Sequence, residues 1–135
     1  MPLHDLVRLE AGEWLMRAQA DYRASQVLRD AGLYAESLFH SRQCAEKALK
    51  TVLTLHQIAF RKTHDLDALK QVCLEVQPSL SAAAEGIETL SRYAWQYRYP
   101  GSPYEPDLAE CDEAISHAAT LPERVKSYFP PTPSI

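Results

Sequence analysis

Glycine is scarce in this 135-residue chain, at four residues, and long stretches hold neither glycine nor proline. No G-x-G-x-x-G or G-x-x-x-x-G-K sequence occurs, which excludes the glycine-rich loops that cradle phosphates in the common nucleotide-binding folds. Cysteine is scarce too. Cys44, Cys73 and Cys111 are odd in number, widely spaced and without a Cys-x-x-Cys pair, so they read as reduced thiols rather than as a disulfide framework or a zinc site. No apolar run approaches the roughly 18 residues that a membrane span needs, and residues 1–14 show neither the basic nor the apolar region of an export signal. A cytoplasmic protein with no membrane partner is expected. A basic excess is also lacking, with 14 Lys and Arg against 18 Asp and Glu for a formal charge of −4. That argues against broad duplex binding and leaves room only for a local basic groove.

What is present suits a single helical domain. Hydrophobic residues make up 46% and charged residues 24%, enough to build a core. Apolar residues at three-and-four spacing predict a first helix from about Glu10 to Ala31, with Trp14, Ala18 and Leu28 on its stripe. Asp21 falls inside that stripe and therefore needs a cationic or hydrogen-bonding mate, for which Lys47 is a candidate. A second helix is predicted over 34–57, with Leu38, Ala45, Leu49 and Val52 inward, and a third from Asp65 to about Val76 behind Thr63 as N-cap. A fourth is expected from about Leu80 to Arg98, where Pro100-Gly101 stops it, and a fifth beyond Pro106, split by Pro122. The fold expected is all-α, an up-and-down antiparallel bundle of four to five helices over residues 1–129, with 130–135 a loose Pro-rich tail.

Catalytic signatures such as G-x-S-x-G and H-E-x-x-H are absent. His4, His56 and His117 lack ligand-like companions, so no metal and no required cofactor is expected. His40 and Cys44, four apart, have the spacing of a base and a nucleophile but no third group to orient the histidine. The strongest local signal is the polar ridge His40, Gln43, Lys47, Lys50, followed by Arg61, Lys62, Thr63, His64 and Asp65 where the third helix begins. Several cations beside a helix N-terminus suit a phosphate. A solvated face with a Glu46–Lys50 pair fits the same spacing. Tyr93, Trp95, Tyr97 and Tyr99, interleaved with Arg92 and Arg98, suit base stacking or a subunit interface equally well.

The order and spacing of Trp14, Ala18 and Asp21, then Gly32-Leu33-Tyr34-Ala35, then Phe39-His40-x-x-Gln43-x-x-Glu46-Lys47-x-x-Lys50, resemble the HEPN domain. Lys62-Thr63-His64-Asp65-Leu66 and Arg98-Tyr99-Pro100 extend the resemblance, which runs from Trp14 to about Phe129. It implies a homodimeric helical bundle standing beside a minimal nucleotidyltransferase in a prokaryotic toxin–antitoxin-like pair. It also implies a nucleotide, or a short RNA, as ligand. Carried over, Lys47, Lys50, Lys62 and His64 become phosphate contacts, with Gln43 and Asp65 beside them and Arg98 and Tyr99 lining the groove or the dimer interface. A ribonuclease branch of the same superfamily uses an Arg followed after four to six residues by a His, and no Arg here has a His at that distance. The expectation is thus a non-catalytic binding module. Its alternatives are a ribonuclease with a non-standard pair such as His64 and Arg98, and a pure interaction module built on the Tyr93-to-Tyr99 aromatics.

Overall fold

The computed structural model describes residues 2–60, 65–94, 100 and 105–131. Among these residues five α-helices follow one another: α1 (Leu3–Asp30), α2 (Tyr34–Leu55), α3 (Leu66–Val76), α4 (Leu108–Ala119) and α5 (Leu121–Lys126). No strand occurs among the described residues, and the fold is an all-α bundle. No described helix is long and apolar enough to cross a membrane.

The frame is the α1–α2 hairpin. Gly32, at φ +80°, closes α1 in the left-handed conformation that glycine adopts without steric cost, with Gly32 N–H donating to the Arg29 carbonyl and Leu33 N–H to the Leu28 carbonyl. Cross-links then step along both helices in opposite senses. The Ser37 hydroxyl donates to the Ser25 carbonyl, and Lys47 reaches Asp21. α2 is the central element, burying Leu38, Ala45, Leu49 and Val52 as its periodicity predicts. α4 lies along it in the same sense: the Cys111 thiol meets Ser37 Oγ at 3.0 Å, and the Cys44 thiol lies 3.9 Å from the Ala118 carbonyl. Arg29 ties α1 to α4 through a forked pair with Asp112, Nε at 2.8 Å and Nη2 at 3.3 Å, and this holds the Asp112 carboxyl below its ordinary pKa.

Several boundaries differ from the periodic reading. α1 begins at Leu3 rather than Glu10, because Pro2 precedes the first turn and its carbonyl accepts from the Asp5 and Leu6 N–H groups. In place of the one helix expected from about Leu80 to Arg98, a short 3₁₀ helix, Pro78–Leu80, ends where that helix was to begin, and a turn joins it to a second 3₁₀ helix, Ile87–Ala94. Gly86, at φ +82°, breaks the expected helix. A Cβ there would stand 2.5 Å from the His117 ring, so the turn and α4 approach each other only through glycine. The N-cap of α3 is Asp65, whose Oδ1 accepts from the Asp67 and Ala68 N–H groups. Thr63 lies outside the described residues. Pro106 precedes the first turn of α4, which Asp107 caps by accepting from Glu110 N–H. Pro122, in the first turn of α5, separates it from α4 as predicted. Pro130 in the C-terminal stretch accepts a hydrogen bond from Arg8 of α1.

α2 ends in the same motif as α1, with Gln57 N–H donating to the Thr54 carbonyl and Ile58 N–H to the Leu53 carbonyl, but the left-handed residue is Gln57 at φ +55°. A side chain there carries a conformational cost that glycine avoids. Gln57→Gly is expected to stabilise the fold by about 1 kcal/mol, read as a higher midpoint in urea. An unchanged or lower midpoint contradicts this account of the turn.

Candidate functional site

The α1–α2 interface holds two carboxylates that a bundle core does not ordinarily contain. Asp21 is 8% exposed and Glu46 3%. Lys47 Nζ donates to Asp21 Oδ2 at 2.6 Å, and His40 Nδ1 lies 2.8 Å from Oδ1. His40 and Lys47 stand two turns apart on α2, so they bracket the carboxylate from one helix face. The His40 ring is held in turn by an edge contact with Phe39, centroids 5.3 Å apart.

Arg42, Glu46 and Lys50, each one turn further on, form the second cluster. Arg42 Nη2 donates to Glu46 Oε1 at 2.9 Å and Lys50 Nζ to Oε2 at 3.2 Å, all three side chains nearly inaccessible to solvent. The Lys50 ammonium also rests 5.3 Å from the Trp14 ring and 5.5 Å from the Phe60 ring. Those distances allow an electrostatic attraction to both π-faces. The two rings meet edge to face, 5.8 Å between centroids at 69°.

Trp14 and Phe60 line an open groove of about 510 Å³ with Val7, Glu10, Thr54 and Gln57. One half-buried aromatic wall, a cation behind it and a polar rim make a surface on which a flat π-system can stack. Arg61 and Lys62 follow Phe60 directly in the sequence.

The ridge predicted from spacing is therefore divided. Lys47 is the counter-ion of Asp21, as its position in the stripe allowed. Lys50 belongs to the Glu46 cluster and the aromatic groove. The expected Glu46–Lys50 pair exists but is buried rather than solvated. Gln43, half-buried between the clusters, makes no side-chain hydrogen bond among the described residues. Asp65 places its own carboxylate at the start of α3, the seat the sequence offered to a phosphate. Lys62, His64, Arg98 and Tyr99 lie outside the described residues, as do Trp95 and Tyr97. The His40–Cys44 pairing is not formed, for His40 turns to Asp21 while Cys44 is buried against α4 with its thiol pushed up to about 12 by desolvation. Among the described residues no group of His, Cys, Asp and Glu is arranged to hold a metal ion.

Sequence reasoning did not bring Trp14 and Phe60 together. They are far apart in the chain, and the contact needs the α2 C-terminal turn to fold Phe60 back toward α1. The buried Arg42 left no signal beyond its spacing from Glu46.

Comparison with known proteins defines the class. The HEPN domain model matches residues 11–128, and the chain belongs to the HEPN family. It is 28% identical over 131 residues to Putative toxin MJ1304 of Methanocaldococcus jannaschii, with 86% of each chain covered. Two crystal structures share the fold at 25% identity. TT1696 from Thermus thermophilus superposes with a TM-score of 0.73, covering 87% of this chain and 96% of that one. ST0689, an archaeal HEPN homologue, gives 0.69 over 89% and 98%.

Breaking one partner of a buried ion pair leaves the other charge uncompensated. Asp21→Asn is expected to cost about 3 kcal/mol, measured by urea denaturation. A change within error would mean that Lys47 and His40 do not depend on Asp21. The thiols supply a second test. Burial pushes Cys44 and Cys73 to about 12 and raises Cys111 as well. All three are expected to resist a thiol reagent at neutral pH until urea unfolds the chain. Rapid labelling of any one in the native protein contradicts that.

Proposed function

We propose that this HEPN chain is a non-catalytic module that binds a nucleotide or another phosphorylated ligand. In this reading it acts with a nucleotidyltransferase partner in a toxin–antitoxin-like pair. The observation that carries the ligand reading is the Trp14–Phe60 groove with the buried Lys50 ammonium against both rings. A base stacks on the aromatic wall and the rim residues Glu10, Thr54 and Gln57 meet its polar edges, while Lys62 and His64, which follow Phe60 closely in the sequence, are the candidates for its phosphates. Lys50 spends one of its three N–H donors on Glu46 and keeps its charge at the groove. The name of the Methanocaldococcus jannaschii relative supports the toxin side of the reading. The absence of an Arg-x4-6-His sequence supports the non-catalytic side.

A thermal-shift panel of mono-, di- and trinucleotides and short RNAs tests it. A ligand at a hundred times its dissociation constant adds about 2.7 kcal/mol, several degrees for a domain of this size. One nucleotide class is expected to shift the wild-type chain, and Trp14→Ala and Lys50→Met are each expected to abolish the shift, measured from their own ligand-free midpoints. A flat wild-type panel contradicts the ligand reading. A shift retained by both variants places the ligand elsewhere.

A further inference from the structure

Among the described residues Glu10 is the one charged side chain that lines the Trp14–Phe60 groove. Val7, Glu10 and Trp14 follow one another on α1 at three-and-four spacing, so they share the face that borders it. α2 runs antiparallel to α1, which brings Glu10, one turn before Trp14, to the end of α2 where Thr54 and Gln57 line the same groove. Glu10 is exposed and forms no hydrogen bond or ion pair among the described residues. The Thr54 hydroxyl donates to the Lys50 carbonyl at 2.8 Å, which leaves it only lone pairs to offer a ligand. The donors among the lining side chains are the Gln57 amide and the Trp14 indole N–H.

An ionised carboxylate accepts hydrogen bonds and never donates them. Beside a stacking wall it therefore sorts the bases by their Watson–Crick edges. Guanine presents N1–H and the N2 amine side by side, two donors that the two carboxylate oxygens can accept at once, as they accept the fork of a guanidinium. Adenine and cytosine set one amine beside the lone pair of a ring nitrogen, which would face the second oxygen. Uracil sets its single N–H between two carbonyls. Guanine O6, next to N1, is in addition an acceptor for an amide such as that of Gln57. The Watson–Crick edge lies at the far end of a purine from the sugar, so a base gripped by Glu10 directs its phosphates away from that carboxylate.

We infer that the groove selects guanine, with the Glu10 carboxylate accepting from N1–H and the N2 amine while the ring stacks on the Trp14–Phe60 wall. The inference rests on the ligand reading above and adds to it the base, which the family resemblance leaves unspecified. A forked pair of this kind discriminates by about tenfold or more against a base that cannot form it. The groove, of about 510 Å³, has room for a purine. Free guanine nucleotides and guanines in single-stranded RNA present the same edge, and the recognition is of that edge.

Isothermal titration calorimetry of the full chain decides it, with the monophosphates of guanosine, inosine, xanthosine, adenosine, cytidine and uridine and with the trinucleotide ApGpA as probes. Guanosine monophosphate is expected to bind about tenfold or more tighter than the adenosine, cytidine and uridine compounds. Inosine monophosphate, which lacks the 2-amine, is expected to bind more weakly than guanosine monophosphate. Glu10→Gln, a change at an exposed position, is expected to leave the circular dichroism spectrum unaltered. It should weaken guanosine monophosphate and favour xanthosine monophosphate, whose 2-carbonyl accepts from an amide and repels a carboxylate. Tighter binding of ApGpA than of guanosine monophosphate points to RNA as the source and the reverse order to a free nucleotide, and both orders support the selection. Equal affinity for all bases that Trp14→Ala abolishes overturns the selection and leaves the ligand reading standing. A guanine preference that survives Glu10→Gln overturns the role given to Glu10. Binding of none of these probes overturns the selection and the ligand reading together.

Discussion

Asp21 and Glu46 are buried carboxylates in an interface that could have been wholly apolar, and much of the molecule is arranged around keeping them compensated. Each carboxylate fixes residues on α2 at helical spacing: His40 and Lys47 on Asp21, Arg42 and Lys50 on Glu46. Buried ion pairs of this kind add little net stability over apolar residues of the same size, yet losing one partner is costly. The Asp21 pairs, which cross from α1 to α2, bear on register. A slip of α2 along α1 by one turn would carry His40 and Lys47 away from Asp21 and Lys50 away from Trp14, so the Asp21 pairs and the Lys50–Trp14 contact hold the two helices at one relative height, while the Glu46 pairs lie within α2 and hold Lys50 in place. That height in turn sets where Phe60 meets Trp14 and gives the groove its aromatic wall.

The same register decides which cations face outward. The lysines that look most available in the sequence are the ones the fold has engaged. Lys47 is taken by Asp21, while Lys50 keeps a position where its charge acts on the groove through two rings. Asp65 occupies the α3 start with its own carboxylate. The Trp14–Phe60 groove is therefore aromatic at its centre, and Arg61 and Lys62 follow Phe60 in the chain.

The fold was legible wherever periodicity was strong and unbroken. α2 follows its apolar stripe nearly residue for residue, and Asp21 announced its need for a partner because it sits in such a stripe. Where a backbone event decided the structure, periodicity was silent. Gly86 sits in an otherwise helix-compatible stretch, and its positive φ together with the closeness of His117 replaces one expected helix by two 3₁₀ segments. The start of α1 depends on Pro2 and the Asp5 and Leu6 amides rather than on an apolar stripe, so the outward residues Leu3 to Leu9 fell outside the predicted helix. The groove was illegible for a different reason. Trp14 and Phe60 become neighbours only after the Gln57 turn closes, a tertiary event that no local spacing encodes.

The central claim is that the register set by Asp21 with His40 and Lys47, and by Lys50 against Trp14, builds the proposed ligand groove at Trp14 and Phe60. It is tested most directly by following backbone amide and indole resonances of the ¹⁵N-labelled chain during titration with the nucleotide class that stabilises it. The account predicts that the Trp14 indole and the amides from Thr54 to Phe60 move together and saturate at one stoichiometry, while those of α4 and α5 stay in place. Saturable shifts confined to another face, or none at all, would contradict it.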